Sequence, residues 1–359
     1  MGKSIVDFSS VTRVGVDLAK NVFQVHAVDA RGAIVAARKV RRGALLDFFA
    51  RLPACVVAME TCSSAHHWGR LLIAQGHEVR LIPAAHVKPY VRRGKNDAAD
   101  AAAICEASMR PGQRFVAVRS VENQAALMRH RVREQLSGQR TAVLNALRGH
   151  LAEIGVVAAQ GAQHAYELKA LLAEGADANG EIVVPDCVRA ALAPLAAQID
   201  AIDETLGAID AAIVAEAKRH AVARRLMTIP GVGPVIASAF VASTPDMSAF
   251  ANGREFSAFL GLTPRQHSTG GKQKLGRITK MGDRYLRKLL VVGATSVLRH
   301  SQGHDDALRA WAKALLARRS ETYGYKLTAV ALANKLARLI FALMSRGEVY
   351  ESRSLASAQ

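Results

Sequence analysis

Thr12-Arg13-Val14-Gly15-Val16-Asp17-Leu18 is a short, valine-rich run with a carboxylate near its end. It reads as a strand that delivers Asp17 to the edge of a sheet. Two further β-branched runs follow at residues 22–29 and 33–40, joined by the turn-like link Ala30-Arg31-Gly32. The three together predict an antiparallel meander. Residues 43–51 read as a helix with Leu45, Leu46, Phe48 and Phe49 on its apolar side. Cys55-Val56-Val57-Ala58-Met59-Glu60 is continuously apolar up to its final acid, as suits a strand covered on both faces. A helix over about 64–75, a strand over 78–83 and a helix over about 84–92 complete the order β-β-β-α-β-α-β-α.

That order predicts an α/β domain, a mixed sheet with helices, of the RNase H-like kind. In open sheets, sites lie at the carboxyl ends of strands, and Asp17 and Glu60 both stand at such ends. The run Gly94-Lys95-Asn96-Asp97-Ala98-Ala99-Asp100-Ala101-Ala102 then opens an alanine-rich helix with two acids three apart. Positions i and i+3 share a helix face about 5–6 Å apart. Two carboxylates so close repel each other unless a cation lies between them, and Mg²⁺ takes oxygen ligands. Four carboxylates are enough for two such ions. Lys88, Arg92, Arg93 and Lys95 precede the pair and offer a basic approach for a phosphate backbone. Taken singly, each acid also fits a plainer role, a helix-dipole partner or a strand-end turn former. The constellation points to metal-assisted phosphodiester chemistry.

The totals agree with a polyanionic partner. The 359 residues carry 48 Lys+Arg against 30 Asp+Glu, a formal charge of +18 and a pI near 10.2, and nucleic acid is the first expectation. No uninterrupted apolar run of about 20 residues suggests a membrane partner, and the N-terminus lacks a secretory h-region. The cysteines Cys55, Cys62, Cys105 and Cys187 form no C-x-x-C pair, which suits a reduced, cytoplasmic protein. His66 and His67 are adjacent and would point apart on a helix, a poor metal site.

Residues 121–154 have helical periodicity, with Val132, Leu136, Val143, Leu147, Leu151 and Ile154 near one face. Arg129, Arg131, Arg133, Arg140 and Arg148 stand elsewhere on it. That arginine stripe reads either as a solvated face or as a track for a nucleic-acid backbone. Residues 156–185 suit a loop or short helical excursion. Leu195, Ile199, Ile202, Leu206, Ile209 and Ile213 then alternate in steps of four and three, a coiled-coil seam. Pro194 marks a first helical turn or a kink. The two helices predict a coiled-coil arm, either closed on itself or joining copies into a homo-oligomer, dimer or tetramer.

Thr228-Ile229-Pro230-Gly231-Val232-Gly233-Pro234 resembles the turn of a helix-hairpin-helix, with a tight interhelix turn as the plainer reading. From Arg265 to Lys288 there are eight cations, Arg265, Lys272, Lys274, Arg277, Lys280, Arg284, Arg287 and Lys288, against the single acid Asp283. By composition, Ser268-Thr269-Gly270-Gly271-Lys272 reads as a phosphate-binding loop first and a nucleophile loop second. An amphipathic helix over 326–344 should pack back onto this segment.

Two motif blocks, in order, resemble the DEDD-type insertion-sequence transposases, relatives of the Piv-type DNA invertases. The first block is Gly15-Val16-Asp17-Leu18-Ala19-Lys20, Ala58-Met59-Glu60-Thr61 and Lys95-Asn96-Asp97-Ala98-Ala99-Asp100-Ala101. The second runs from Gly261-Leu262-Thr263-Pro264 through Gly276-Arg277-Ile278-Thr279-Lys280-Met281-Gly282-Asp283 to Arg287. The resemblance implies an RNase H/RuvC-like DEDD nuclease domain over 1–115, a coiled-coil region over 116–226 and a mostly α-helical transposase domain over 227–359. It implies Mg²⁺ on Asp17, Glu60, Asp97 and Asp100. It also implies a serine nucleophile that links covalently to DNA, and a bridge RNA that pairs with donor and target. Ser268 and Thr269 both lie at the serine's place in two possible registers, and Ser268 is the serine of the two. Two other functions stand beside this one: a metal-and-water endonuclease of the Holliday-junction resolvase kind, and a non-catalytic nucleic-acid-binding protein.

Overall fold

The sheet predicted from the N-terminal runs forms. A computed structural model describes residues 7–91, 97–244, 246–302, 306–319 and 323–351. Arg92, Arg93 and Lys95, expected to grip a phosphate backbone, lie outside the described residues. Strands β1 (Arg13–Asp17), β2 (Val22–Val28) and β3 (Ile34–Arg41) are successive antiparallel neighbours. Asp29 closes the β2–β3 turn: its Oδ1 accepts the N–H groups of Arg31 at 2.9 Å and Ala33 at 2.8 Å. After helix α1 (Leu45–Phe49), β4 (Val56–Glu60) returns parallel to β1. After α2 (Ala65–Ala74), β5 (Glu78–Ile82) pairs parallel to β4. The sheet order is β3-β2-β1-β4-β5. The helix expected over 84–92 is shorter, α3 (Ala84–Val87) followed by a 3-10 turn, Lys88–Tyr90. Pro89 explains this, since it has no N–H to give a continuing α-helix. Then comes α4 (Asp97–Met109).

Alternation along the strands divides the core in two. Val14, Val16, Val57 and Met59 face a layer that includes Leu45, Phe48, Trp68 and Leu72. Ala58 faces the opposite layer with Ile82, Val87, Ala103 and Ile104. Because side chains alternate with a period of two, Glu60 projects to the same face as Ala58. By the same rule Asp17 follows Gly15, whose backbone lies against α4.

The chain divides into two compact units, Met1–Gln124 and Ala125–Gln359. The long helices α5 (Val121–Glu153) and α7 (Asp186–Arg219) flank α6 (Ala162–Glu174), the short excursion that 156–185 suggested. Leu144, Leu147, Leu151, Leu168, Leu172, Leu192 and Ile199 share one buried cluster. The seam of α7 is thus used within the chain, with Ile202, Leu206 and Ile213 also buried. Pro194 neither starts nor ends the helix; it sits inside α7 on an exposed position.

The face of α5 is only in part the one its periodicity suggested: Leu147 and Leu151 are buried as expected. Val132 and Ile154 are exposed, while Ala126 and His130 are buried. Arg129, Arg133 and Arg140 form ion pairs with Glu216, Asp210 and Asp203 of α7, and Arg148 donates to the carbonyls of Ala159 and Gly161. Four of the five arginines of the stripe therefore tie the arm together instead of facing solvent or a strand. His130 bonds Tyr285 Oη and Ser238 Oγ, each at 3.1 Å. Burial, with Arg133 beside it, pushes its pKa down to about 4.

The chain continues through α8 (Ala221–Leu226), α9 (Pro234–Ser243) and α10 (Gly253–Phe259) to a hairpin of β6 (Pro264–Gln266) and β7 (Leu275–Ile278). Helices α11 (Arg284–Arg299), α12 (Ala307–Ala317) and α13 (Gly324–Arg346) follow. The turn between α8 and α9 packs backbone to backbone on α11. A Cβ added at Gly293 would stand 2.2 Å from the Gly231 carbonyl oxygen. Gly293→Ala is expected to destabilise the protein by about 2 kcal/mol, read as a lower urea midpoint with an unchanged slope. The expected helix over 326–344 is α13. It is long and apolar enough to cross a membrane by length and composition, yet Leu332, Leu336 and Ile340 are fully buried in the core of this unit.

A carboxylate cluster and a basic hairpin

Gly15 explains how the acids meet. A Cβ at this position would lie 2.3 Å from the Ala101 carbonyl oxygen and 2.7 Å from Cys105 Cβ. Helix α4 therefore rests on β1 through main-chain atoms, with Ala101 and Cys105 as the small residues at the contact. One helical turn before Ala101 on the same face is Asp97, and Asp100 lies beside it. Two residues after Gly15 on the strand is Asp17. The contact thus sets both acids of the helix over the acid of the strand. Carboxylate oxygens of Asp17, Asp97 and Asp100 lie within 4.8 Å of one another. Glu60 stands at the same sheet edge, since the parallel register pairs Val16 with Met59. It is outside the 4.8 Å group but close enough to feel Asp17 and Asp100 electrostatically.

Burial raises the Asp17 carboxyl above its ordinary value, and Asp100 and Asp97 raise it further by repulsion. Glu60 is raised by burial first, then by Asp17 and Asp100. Hard oxygen donors converging on one point, under repulsion that a cation would relieve, fit a divalent metal. Of the four acids expected from the sequence, three converge and Glu60 stands beside them; the positioning role of Gly15 was not read from the sequence. The available signal was a glycine inside a strand, which often marks close backbone approach.

The second group lies on the β6–β7 hairpin. Gly270 and Gly271 both have positive φ, +54° and +78°, as a two-residue hairpin turn with two left-handed positions requires. Thr269 and Lys272 close the turn as a bridged pair. Ser268 and Thr269 are exposed near the tip, and Ser268 Oγ accepts the N–H of Lys274 at 3.3 Å. The hairpin's root is clamped. A Cβ at Gly282 would be 1.9 Å from the Phe259 oxygen, and one at Gly261 would be 2.2 Å from the Met281 oxygen. Lys280, at φ +57°, donates its N–H to Gly261.

Arg265, Lys272, Lys274, Arg277, Lys280 and Arg284 are all exposed. Arg265 also donates to the Thr279 carbonyl at 3.3 Å, and the other two cations of the run are held too: Arg287 donates to the Leu260 and Met281 carbonyls, and Lys288 pairs with Glu134. Asp283 caps α11 by accepting from Tyr285 and Leu286 N–H groups. The carboxylates belong to the first unit and Ser268 to the second.

Residues 14–156 match a transposase family of the DEDD type, and residues 223–309 match the family described as Transposase IS116/IS110/IS902. A probable family 20 transposase of Pseudomonas aeruginosa is 45% identical over 95% of this chain and 99% of its own. The transposase for insertion sequence element IS1111A of Coxiella burnetii is 40% identical over 94% of this chain and 90% of its own. The transposase for element IS1328 of Yersinia enterocolitica is 35% identical over 95% and 99%. A mixed α/β domain followed by a helical region, with these matches, is that of a transposase, an enzyme that cuts and rejoins DNA. The chain belongs to the IS110/IS116/IS902 family of insertion-sequence transposases.

Proposed function

We propose that this transposase moves its element with parts from both units. The first unit is read as an RNase H/RuvC-like domain, supported by the sheet order with two antiparallel and two parallel pairings. Asp17, Glu60, Asp97 and Asp100 hold Mg²⁺, with two ions as the fuller occupancy. The bound metal supplies Lewis-acid stabilisation of the charge on a phosphate. The observation that carries this reading is the convergence of Asp17, Asp97 and Asp100 within 4.8 Å.

Ser268 is the proposed nucleophile. Its Oγ forms a bond to phosphorus, the bond from phosphorus to one DNA oxygen breaks, and that oxygen leaves with a proton. Attack by a DNA hydroxyl on the phosphoserine ester reverses the step and rejoins the strands. Arg265, Lys272, Lys274, Arg277, Lys280 and Arg284 hold the backbone around it, and Arg92, Arg93 and Lys95 do so before α4. A bridge-type RNA selects donor and target DNA, a reading supported by the family resemblance and by the formal charge of +18. Copies assemble as a dimer or tetramer through the arm, where Met128 and Val132 are exposed apolar residues of α5.

A nicked suicide substrate tests the nucleophile. Wild-type protein should be trapped on DNA as a phosphoserine adduct at residue 268, and Ser268→Ala should give none while its circular dichroism is unchanged. Cleavage without an adduct would favour the metal-and-water endonuclease instead, and an adduct on Thr269 would shift the register. Mixing Asp97→Ala with Ser268→Ala protein tests whether one site draws on two subunits. Restored cleavage is expected, and its absence in properly assembled mixtures would place both parts in one chain.

A further inference from the structure

A groove in the second unit extends beyond the residues given a role above and shares only Arg277 with them. It is open, of about 1310 Å³, and runs between α10, the β6–β7 hairpin, α12 and α13. Its floor is apolar, with Leu262, Ile278 and Leu339 among the lining residues, and Trp311 stands in its wall, 36% exposed. Six cations line it, Arg254, Arg277, Arg319, Lys335, Arg338 and Arg346, and no carboxylate does among the described residues. Arg346 approaches Glu348 at 4.0 Å. Among the described residues, Arg254, Arg277, Arg319 and Arg338 have no acidic partner. Elsewhere in this unit Arg129, Arg133, Arg140, Arg189 and Arg309 are each matched with an acid. Lys335 lies 4.3 Å from the centre of the Trp311 ring. Burial, with Arg338 next to it, holds its ammonium below the usual lysine value.

Uncompensated cations around an apolar floor, with an indole at hand, call for a ligand that is anionic along its length and flat and apolar in between. A duplex shows a protein mainly phosphate and sugar on its outside, so it would leave the floor and the indole unused. An unpaired strand offers both kinds of contact. We propose that this groove binds an unpaired nucleic-acid strand. Arg254, Arg319, Lys335 and Arg338 hold its phosphates and Trp311 stacks with a base. The inference rests on the protein's acting on nucleic acid, but it does not depend on the carboxylates or on Ser268. One wall of the groove is the hairpin that carries Ser268, so a strand lying there would pass beside that hairpin.

The test is binding, with no cleavage readout. Full-length protein is titrated with oligo(dT) and oligo(U) of about ten nucleotides, a length within the site sizes of such grooves. A duplex of the same length and poly-glutamate serve as the other probes. The single strands should quench the fluorescence of Trp311, and Trp311→Phe should abolish that part of the quench. Trp311→Ala should weaken binding roughly tenfold, with Trp311→Phe retaining most of the affinity. In Arg254→Gln/Arg338→Gln, the slope of log affinity against log salt should fall by about 1.4, roughly 0.7 per lost contact. Whether oligo(dT) or oligo(U) binds more tightly then names DNA or RNA as the source. An unchanged slope in a folded double variant overturns the proposal. So does equal binding of the duplex through these residues, and poly-glutamate quenching Trp311 equally would make the groove a site for acidic peptide. Asp17→Asn protein should bind the strands normally, so this result and the fate of the cleavage reading can be told apart.

Discussion

Gly15→Val is expected to lose strand cleavage by about a hundredfold or more and to lower stability by about 3 kcal/mol. Helix α4 touches β1 at this glycine through main-chain atoms, and even a methyl group would lie 2.3 Å from the Ala101 oxygen. No rotamer relieves a clash with backbone, so the helix must move or the strand must bend. Either shift separates Asp97 and Asp100 from Asp17, and a displacement of about 1 Å in a reacting group costs on the order of 10² in rate. Gly15→Ala should show the same pattern more weakly. Urea unfolding and cleavage of a labelled element end would be measured in parallel. Wild-type cleavage in a Gly15→Val protein that binds DNA would mean that the helix does not position the acids.

The second large effect is at Asp17. Asp17→Asn should reduce cleavage on the order of 10³-fold or more, since metal stabilisation of transition-state charge is worth several kcal/mol. The same change should make the metal-free protein more stable at neutral pH. The sign follows from linkage. Asp17 and Glu60 have pKa values raised above their ordinary ones by burial and by neighbouring acids. Their contribution to stability is therefore fully present below the unfolded values, about 3.9 and 4.3, and is lost as pH rises through the raised folded values. Above that window the metal-free cluster is a cost, and Mg²⁺ should remove it. Thermal melts with and without Mg²⁺ should diverge as pH rises from about 4 to 7 for wild type. The divergence should shrink in Asp17→Asn. Melts that respond to Mg²⁺ equally in both proteins, at every pH, would rule the cluster out as the binding site.

Much of the first unit was legible because its strands announce themselves. Val14 and Val16 alternate with Gly15 and Asp17, and residues 56–59 form an unbroken apolar run, so strand, face and edge could be read together. The acids followed from strand ends and from the i, i+3 spacing of Asp97 and Asp100. Gly15 went unread because its meaning lies in what sits above it, and periodicity along one segment cannot show a partner. The same reason accounts for α5. Arg133 and Arg140 look like surface charges on their own helix, and only the presence of Asp210 and Asp203 on α7 makes them internal ties. The hairpin at 264–278 was within reach, since paired glycines between short extended runs are a turn signal, but the density of cations drew the reading toward a loop. The groove around Trp311 was out of reach, because its walls come from segments spread over nearly a hundred residues.

The clasp at Gly261 and Gly282 fixes where the 264–278 ribbon leaves the body of its unit. The hydroxyl of Ser268 therefore travels on a short leash, anchored at one end and bare at the other. Its reach is limited to the span of a few residues. On the role proposed for Ser268, the phosphate has to be brought within that small radius, and the choice of where to cut would then fall to whatever presents the DNA and not to the hydroxyl.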